Sequence, residues 1–248
     1  MQLGYASLMN PIDFGCEPLT DILALQDDLV RKRIAHQIED TLLIGQHPHV
    51  FTAGRQAAKE LHFNNSKPFE PIWVESLKAH VPLVPVQRGG KLSYHGPGQL
   101  IAYPIILLRP GQRNLHQYLR ALEQLIIETL AAYQINGIRH DAHTGVWVKT
   151  KPAKPKDDPV IKKIASVGVG VKNWVTFHGI GLNVCNMLAP FDAIAPCGLS
   201  GSQMTTMAEV LGQEYLACEN FDQSWSEGNK ILQAVKTNLI KHASALTR

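Results

Sequence analysis

The sequence predicts an α+β fold, a mixed β-sheet flanked by helices. Helical and strand-like patterns are interspersed along the chain without a regular βαβ period. One amphipathic helix is long and signalled at both ends, and several apolar strand segments run into glycine-rich turns. With 248 residues, 45% of them hydrophobic and 18% charged, the chain can bury a substantial core as a single domain over 1–248.

In chain order, a first helix is expected from near Thr20, with Ile22, Leu25, Leu29 and Ile34 on one face. Thr41 to Thr52 reads as a strand, broken by Gly45 and Pro48, that leads into a turn at Gly54–Arg55. Residues 64–71 are loop by composition. Val81 to Gln87 reads as a short strand ending at Gly89–Gly90, and Leu100 to Leu108 as an apolar strand. The clearest helix is Leu115 to Tyr133, whose apolar residues include Leu115, Tyr118, Leu122, Leu125, Ile126 and Leu130 at i, i+3, i+4 spacing. Asn114 is its expected N-cap and Asn136–Gly137 its stop. Strands follow near Gly145 to Lys149, Lys163 to Lys172 and Val175 to Val184. The first two flank Thr150 to Ile161, a lysine- and proline-rich stretch expected to form an exposed loop at about 150–161. Thr206 and Glu209 form a capping box for a short helix, and a terminal helix carries Ile231, Leu232, Val235 and Leu239.

A net charge of +3 is too small and too evenly spread for a nucleic-acid footprint. Cys16, Cys185, Cys197 and Cys218 form no C-x-x-C pair and no disulfide or zinc framework, as in a protein of a reducing compartment. The N-terminus has no targeting pattern, and no apolar run approaches the ~20 residues of a membrane span. A soluble, cytoplasmic protein without a nucleic-acid or membrane partner is expected.

Three segments have compositions that a plain core would not choose. Arg88 to Gln99 holds glycines that cost backbone entropy unless something approaches the backbone closely, or unless they simply form turns between strands. It is neither a P-loop nor a dinucleotide fingerprint. In Lys163 to Gly170, strand alternation puts Lys163, Ala165, Val167 and Val169 on one face. The other face carries Ile164 and then the nearly bare Ser166, Gly168 and Gly170. The following strand repeats the feature at Gly179 and Gly181. Together they make either a groove for a thin apolar chain or a place of close packing. Third, Cys197 lies between Pro196 and Gly198 in a loop ahead of a helix. There it is a poorly placed core residue but a possible nucleophile, if a nearby charge lowers its pKa from ~8.5. The other cysteines read as small buried apolar residues. His47 and His49 would share a strand face, yet no third ligand follows, so no metal is expected. His95 and His178 read either as a general base for a cysteine or as structural donors.

These segments together resemble the lipoyl(octanoyl)transferases, the lipoate–protein ligase B family. The resemblance is carried by His47 to Arg55 (HPHVFTAGR), Arg88 to Gln99 (RGGKLSYHGPGQ), Gly145 to Val148 (GVWV), Lys163 to Gly168 (KIASVG), Phe177 to Asn183 (FHGIGLN) and Pro196 to Gly198 (PCG), in that order. It implies a fold similar to the biotin and lipoate protein ligase catalytic domain. It also implies transfer of an octanoyl or lipoyl group from acyl carrier protein to a specific lysine of lipoyl domains, the first step of lipoate assembly. The implied acceptors are lipoyl domains of 2-oxoacid dehydrogenases and glycine cleavage H protein. By motif position, Cys197 would carry the acyl thioester and Lys163 would lower its pKa. Arg88, Gly89, Gly90, Lys91, Leu92, Ser93, Tyr94, His95, Ser166, Val167, Gly168, Gly179, Ile180 and Gly181 would line the acyl site. No cofactor is implied, because exchange between thioesters followed by aminolysis needs no nucleotide activation.

Overall fold

Gln99–Ile105 is buried along its whole length, as a strand covered on both faces must be. In the computed structural model, which describes residues 9–61, 69–150, 159–194, 203–212 and 230–247, this strand (β8) lies within a seven-stranded sheet. The sheet runs β1 (Asn10–Cys16), β2 (Thr41–Gln46), β8, β12 (Val175–Asn183), β11 (Val160–Lys172), β10 (Val146–Thr150), β9 (Gly137–Ile138). β1 pairs parallel to β2 and the other neighbours are antiparallel, so the sheet is mixed, as expected.

Alternation along β8 sends its side chains into two cores. Leu100 and Ala102 enter a cluster under helices α3 (Leu115–Ala131) and α5 (Lys230–Ala243). Ile101, Tyr103 and Ile105 enter a second cluster with Ile22, Leu29 and Val30 of helix α1 (Leu19–Ile34). Helices thus cover both faces of the sheet. The stripe of α3 buries Tyr118, Leu122, Leu125, Ile126 and Leu130, and Asn114 Oδ1 accepts the Gln117 N–H as its cap. Leu115, expected on that stripe, is 41% exposed. The helix stops earlier than the Asn136–Gly137 signal: Gln134 turns left-handed at φ 59°, and Gly137 already starts β9.

Two other expected strands are each divided. Thr41 to Thr52 becomes β2 of the main sheet and β3 (Val50–Ala53) of a separate three-stranded sheet with β6 (Leu83–Pro85) and β7 (Leu92–His95). Val81 to Gln87 is split at Pro82: Val81 ends β5 (Ala79–Val81), which pairs with β4 (Ile72–Val74), and Leu83 starts β6. A proline has no N–H for a ladder, which accounts for the break. The lysine- and proline-rich stretch leaves β10 at Thr150 and re-enters β11 opposite it at Val160; residues 151–158 between them lie outside the described residues. Thr206 caps helix α4 (Met207–Leu211) by accepting the Glu209 N–H, while the Glu209 carboxylate accepts from the Thr205 hydroxyl at 2.7 Å instead of closing the box.

Candidate active site

The glycine-rich loop is built around the side chain of Arg88, which is 9% exposed. Its Nη1 donates to the carbonyls of Gly89 and Lys91, each at 3.0 Å, and its Nη2 donates to Thr52 Oγ1 at 2.7 Å and to the Thr52 carbonyl at 3.2 Å. A guanidinium offers several donors in one plane, so one side chain satisfies carbonyls that a turn leaves unpaired. The backbone must come close to do this, and Gly90 meets the demand at φ 85°. The Gly89 N–H then donates to the Val169 carbonyl at 2.9 Å and seats the loop on β11.

Between loop and sheet lies a small cavity of ≈ 50 Å³. Arg88, Gly89 and Gly90 form one wall, Ser166, Val167 and Gly168 of β11 a second, and Gly179, Ile180 and Gly181 of β12 a third. Ser93 and His95 of β7 also face it. Lys91, Leu92 and Tyr94, expected in the same lining, are not brought to it. Alternation along β7 turns Leu92 and Tyr94 into a third apolar cluster with Phe51, Phe191 and Met204, and the Tyr94 hydroxyl lies 2.6 Å from His49 Nδ1. Lys91 extends toward Glu60 at 3.6 Å. Leu19, Thr52, Tyr103 and His178 line the cavity as well. Thr52 lies within the His47–Arg55 motif, but no local signal marks Leu19 or Tyr103, which arrive from α1 and β8.

The strand glycines divide between the two readings left open by the sequence. A Cβ on Gly168 would stand 3.3 Å from both Arg88 Cδ and the Gly89 carbonyl oxygen, and one on Gly181 3.3 Å from Gln99 Oε1, so both have neighbours at near-contact distance. A Cβ on Gly179 would lie 2.5 Å from the Ala102 carbonyl oxygen, and one on Gly170 2.3 Å from the Phe177 ring. At these two positions glycine serves close packing, and the continuous bare stripe expected for a groove is interrupted.

Burial sets the electrostatics. His95 and His178 are pushed down to about 3 and His47 to about 4, with desolvation the largest cause in each. For His95 the further lowering comes from His47, Arg88 and His178, and for His178 from Arg88 and His47. All three are neutral at pH 7. His47 bonds the Glu17 carbonyl through Nδ1 at 2.7 Å and the Tyr103 hydroxyl through Nε2 at 3.1 Å. His95 bonds Gln99 Oε1 through Nδ1 at 2.7 Å and Thr52 Oγ1 through Nε2 at 3.3 Å. A general base works best with a pKa near the operating pH, so these imidazoles fit the structural alternative. His47 and His49 also do not converge, since each ring bonds a different tyrosine.

Lys163 occupies a different face from the one alternation gives. Val146 pairs with Ala165 but Trp147 pairs with Lys163, so Ile164 is the extra residue of a β-bulge. Ile164 and Ala165 both enter the α3/α5 cluster, together with Val146 and Val148. Lys163 therefore leaves on the opposite side with Trp147, on the face that carries Ser166 and Gly168. It is 2% exposed, and its Nζ stands 5.6 Å from the centre of the Trp147 ring. Gly145, at φ 124°, leaves the space: a Cβ there would be 2.5 Å from the Ala165 carbonyl oxygen, 2.6 Å from Lys163 Cε and 3.2 Å from Nζ. The Gly145 N–H is held by Glu123 Oε1 at 2.9 Å, and the buried Glu123 carboxylate is balanced by Arg120 at 2.8 Å and Arg139 at 3.3 Å. Met204 bridges to Lys163 in parallel, and the Thr205 N–H donates to the Lys163 carbonyl at 2.9 Å.

Cys197 lies outside the described residues, as does Cys218. Cys16 is half-buried, and burial followed by the charge of Glu17 pushes its thiol pKa up. Cys185 is buried, with Sγ 3.9 Å from the Gly98 carbonyl. The Cys16 setting thus disfavours a thiolate. Among the described residues there is no cluster of three or more His, Cys, Asp or Glu side chains arranged to hold a metal, and no helix long and apolar enough to cross a membrane.

The octanoyltransferase of Syntrophotalea carbinolica is 37% identical over 201 residues, covering 81% of this chain and 83% of that protein. A crystal structure of lipoate-protein ligase A bound with ATP superposes with a TM-score of 0.57 at 13% identity, covering 96% of this chain and 83% of that one. Biotin protein ligase from Aquifex aeolicus, in complex with biotin and ATP, superposes with a TM-score of 0.50 at 15% identity, over 96% of this chain and 69% of that one. At such identities the two structures speak to the fold, which is that of the lipoate and biotin ligase catalytic domains. The profile of the lipoyl protein ligase A/B catalytic domain matches residues 18–228, and the chain belongs to that family.

Proposed function

We propose that this chain is an octanoyltransferase. It takes an octanoyl group from acyl carrier protein and delivers it to the lysine of lipoyl domains, through a thioester on Cys197. The observation that carries the reading is the 37% identity to an octanoyltransferase over four-fifths of both chains. It is supported by a cavity walled by glycines and by a buried lysine on the same face of the sheet. Lipoyl domains of 2-oxoacid dehydrogenases and the glycine cleavage H protein are the acceptors under this reading, and the cytoplasm is its compartment. Residues 1–248 act as one domain.

The chemistry balances around two groups. In the resting pair Lys163 is an ammonium and Cys197 a thiolate, the charged form of each favouring the other. The thiolate attacks the carrier thioester, and the departing phosphopantetheine sulfur takes a proton from Lys163. Lys163, now a neutral amine, accepts a proton from the acceptor lysine as that amine attacks the Cys197 thioester. The amide forms, the Cys197 thiolate leaves and the ion pair is restored. The Trp147 ring beside Nζ stabilises the ammonium form through its π face.

Intact mass after mixing with octanoyl carrier protein, without nucleotide, tests the proposal. One octanoyl increment is expected on the wild type and none on Cys197→Ala. Acylation that requires ATP, or that persists in Cys197→Ala, overturns it.

A further inference from the structure

The buried polar side chains of the site form one directed chain of hydrogen bonds, and its far end is Lys163. Arg88 Nη2–H donates to Thr52 Oγ1 at 2.7 Å, and the Thr52 hydroxyl donates to His95 Nε2 at 3.3 Å. His95 Nδ1–H donates to Gln99 Oε1 at 2.7 Å, and Gln99 Nε2–H to Asn183 Oδ1 at 2.9 Å. Asn183 Nδ2–H donates to the Thr205 carbonyl at 3.1 Å, and the Thr205 N–H donates to the Lys163 carbonyl at 2.9 Å. A carbonyl only accepts, so the Thr205 end fixes the direction back through Asn183, Gln99 and the neutral His95 ring, and the guanidinium at the other end, which only donates, agrees with it. The two amides and the imidazole between them have one permitted orientation each. Gln99, Asn183 and Thr205 are 2%, 1% and 0% exposed, so water cannot replace a missing partner without entering the core.

We propose that Gln99 and Asn183 are positioning residues for Lys163. They lock the backbone at Thr205 against β11 at the bulge and so fix where the Lys163 amine stands, while tying that position to the Arg88 loop over the cavity. The proposal rests on Lys163 as the proton donor and acceptor of the transfer reaction. Displacement of a reacting group by about 1 Å costs roughly 10²-fold in rate, so a relay that sets the Lys163 backbone has catalytic leverage without touching substrate.

Asn183→Asp is nearly isosteric. It keeps the acceptor for Gln99 but turns an oxygen toward the Thr205 carbonyl. The measurement is the single-turnover rate of Cys197 acylation against octanoyl carrier protein concentration, in the wild-type and the Lys163→Ala backgrounds. Asn183→Asp is expected to lower the saturating rate by about 10- to 100-fold, with the half-saturating concentration within about threefold. In Lys163→Ala the same substitution should change the rate by less than about twofold, because partners in one network are not additive. Asn183→Ser, which removes the amide without adding charge, gives the same reading if the aspartate variant does not fold. An equal loss in both backgrounds would mean a general packing role and overturns the proposal, as does an unchanged rate. A wild type that takes no acyl group on Cys197 removes the functional reading and this inference together; an acylated wild type with equal losses removes the inference alone.

Discussion

Acidification to about pH 5 should destabilise this protein through the three histidines that it buries neutral. Each has a folded pKa below the ordinary 6.5: about 3 for His95, about 3 for His178 and about 4 for His47. The sign follows from proton counting. Between the folded and unfolded values the unfolded chain binds more protons, so stability rises with pH there and is lost as pH falls through 6.5. The loss continues until the folded values near 3 to 4 are reached. At about pH 5 a histidine with an unfolded pKa of 6.5 and a folded one well below it contributes a loss of about 2 kcal/mol relative to neutral pH. Three such groups lose about 6 kcal/mol, a large share of the ~5–15 kcal/mol by which domains are ordinarily stable. Carboxylates titrate mainly below ~4.3 and add little in this window. Urea unfolding between about pH 7.5 and 5 reads the effect as a falling midpoint at constant slope. His178→Asn should reduce the loss by roughly a third, since it removes one of the three buried imidazoles and retains the backbone N–H to Gln26 Oε1. A midpoint independent of pH across this range would refute the account of buried neutral imidazoles.

Gly145→Ala should lower Cys197 acylation and stability together, because its Cβ would lie 2.5 Å from the Ala165 carbonyl oxygen and 2.6 Å from Lys163 Cε; the unfavourable φ adds a stability loss of about 1–3 kcal/mol. Gly111→Ala, with nothing within 4 Å of its Cβ, is the silent control in the same activity and melting assays. Gly168→Val should lower octanoyl transfer more than butyryl transfer, as it fills the cavity beside Arg88. Equal losses at both chain lengths would assign Gly168 to packing. Gly179→Ala, which meets the Ala102 carbonyl at 2.5 Å, should instead lower the melting temperature and reduce transfer of both lengths alike.

The sequence by itself determined the α+β class, the long helix with its Asn114 cap, the strands of the hairpin around the lysine- and proline-rich stretch, and the family. These are legible because they depend on local periodicity, on turn chemistry and on contiguous motifs. It also marked the loop and strand segments whose backbones meet at the cavity, since glycine in such places has few local uses. What only the tertiary structure decided is where side chains of those segments point. The bulge at Ile164 moves Lys163 to the cavity side of the sheet, because one extra residue reverses every later alternation and nothing in KIAS announces it. Tyr94 sits within the glycine loop motif yet faces away, since pairing of β7 with β3 fixes which residues turn inward. Gly168 and Gly179 are alike in sequence, but a Cβ on the first would stand 3.3 Å from its nearest neighbours in the Arg88–Gly89 loop and one on the second 2.5 Å from the Ala102 carbonyl of the adjoining strand. The neutral histidines and the chain from Arg88 to Lys163 depend on burial and on partners that are far apart along the sequence. Desolvation and hydrogen-bond direction are properties of the packed interior, and they exist only once the sheet has closed around them.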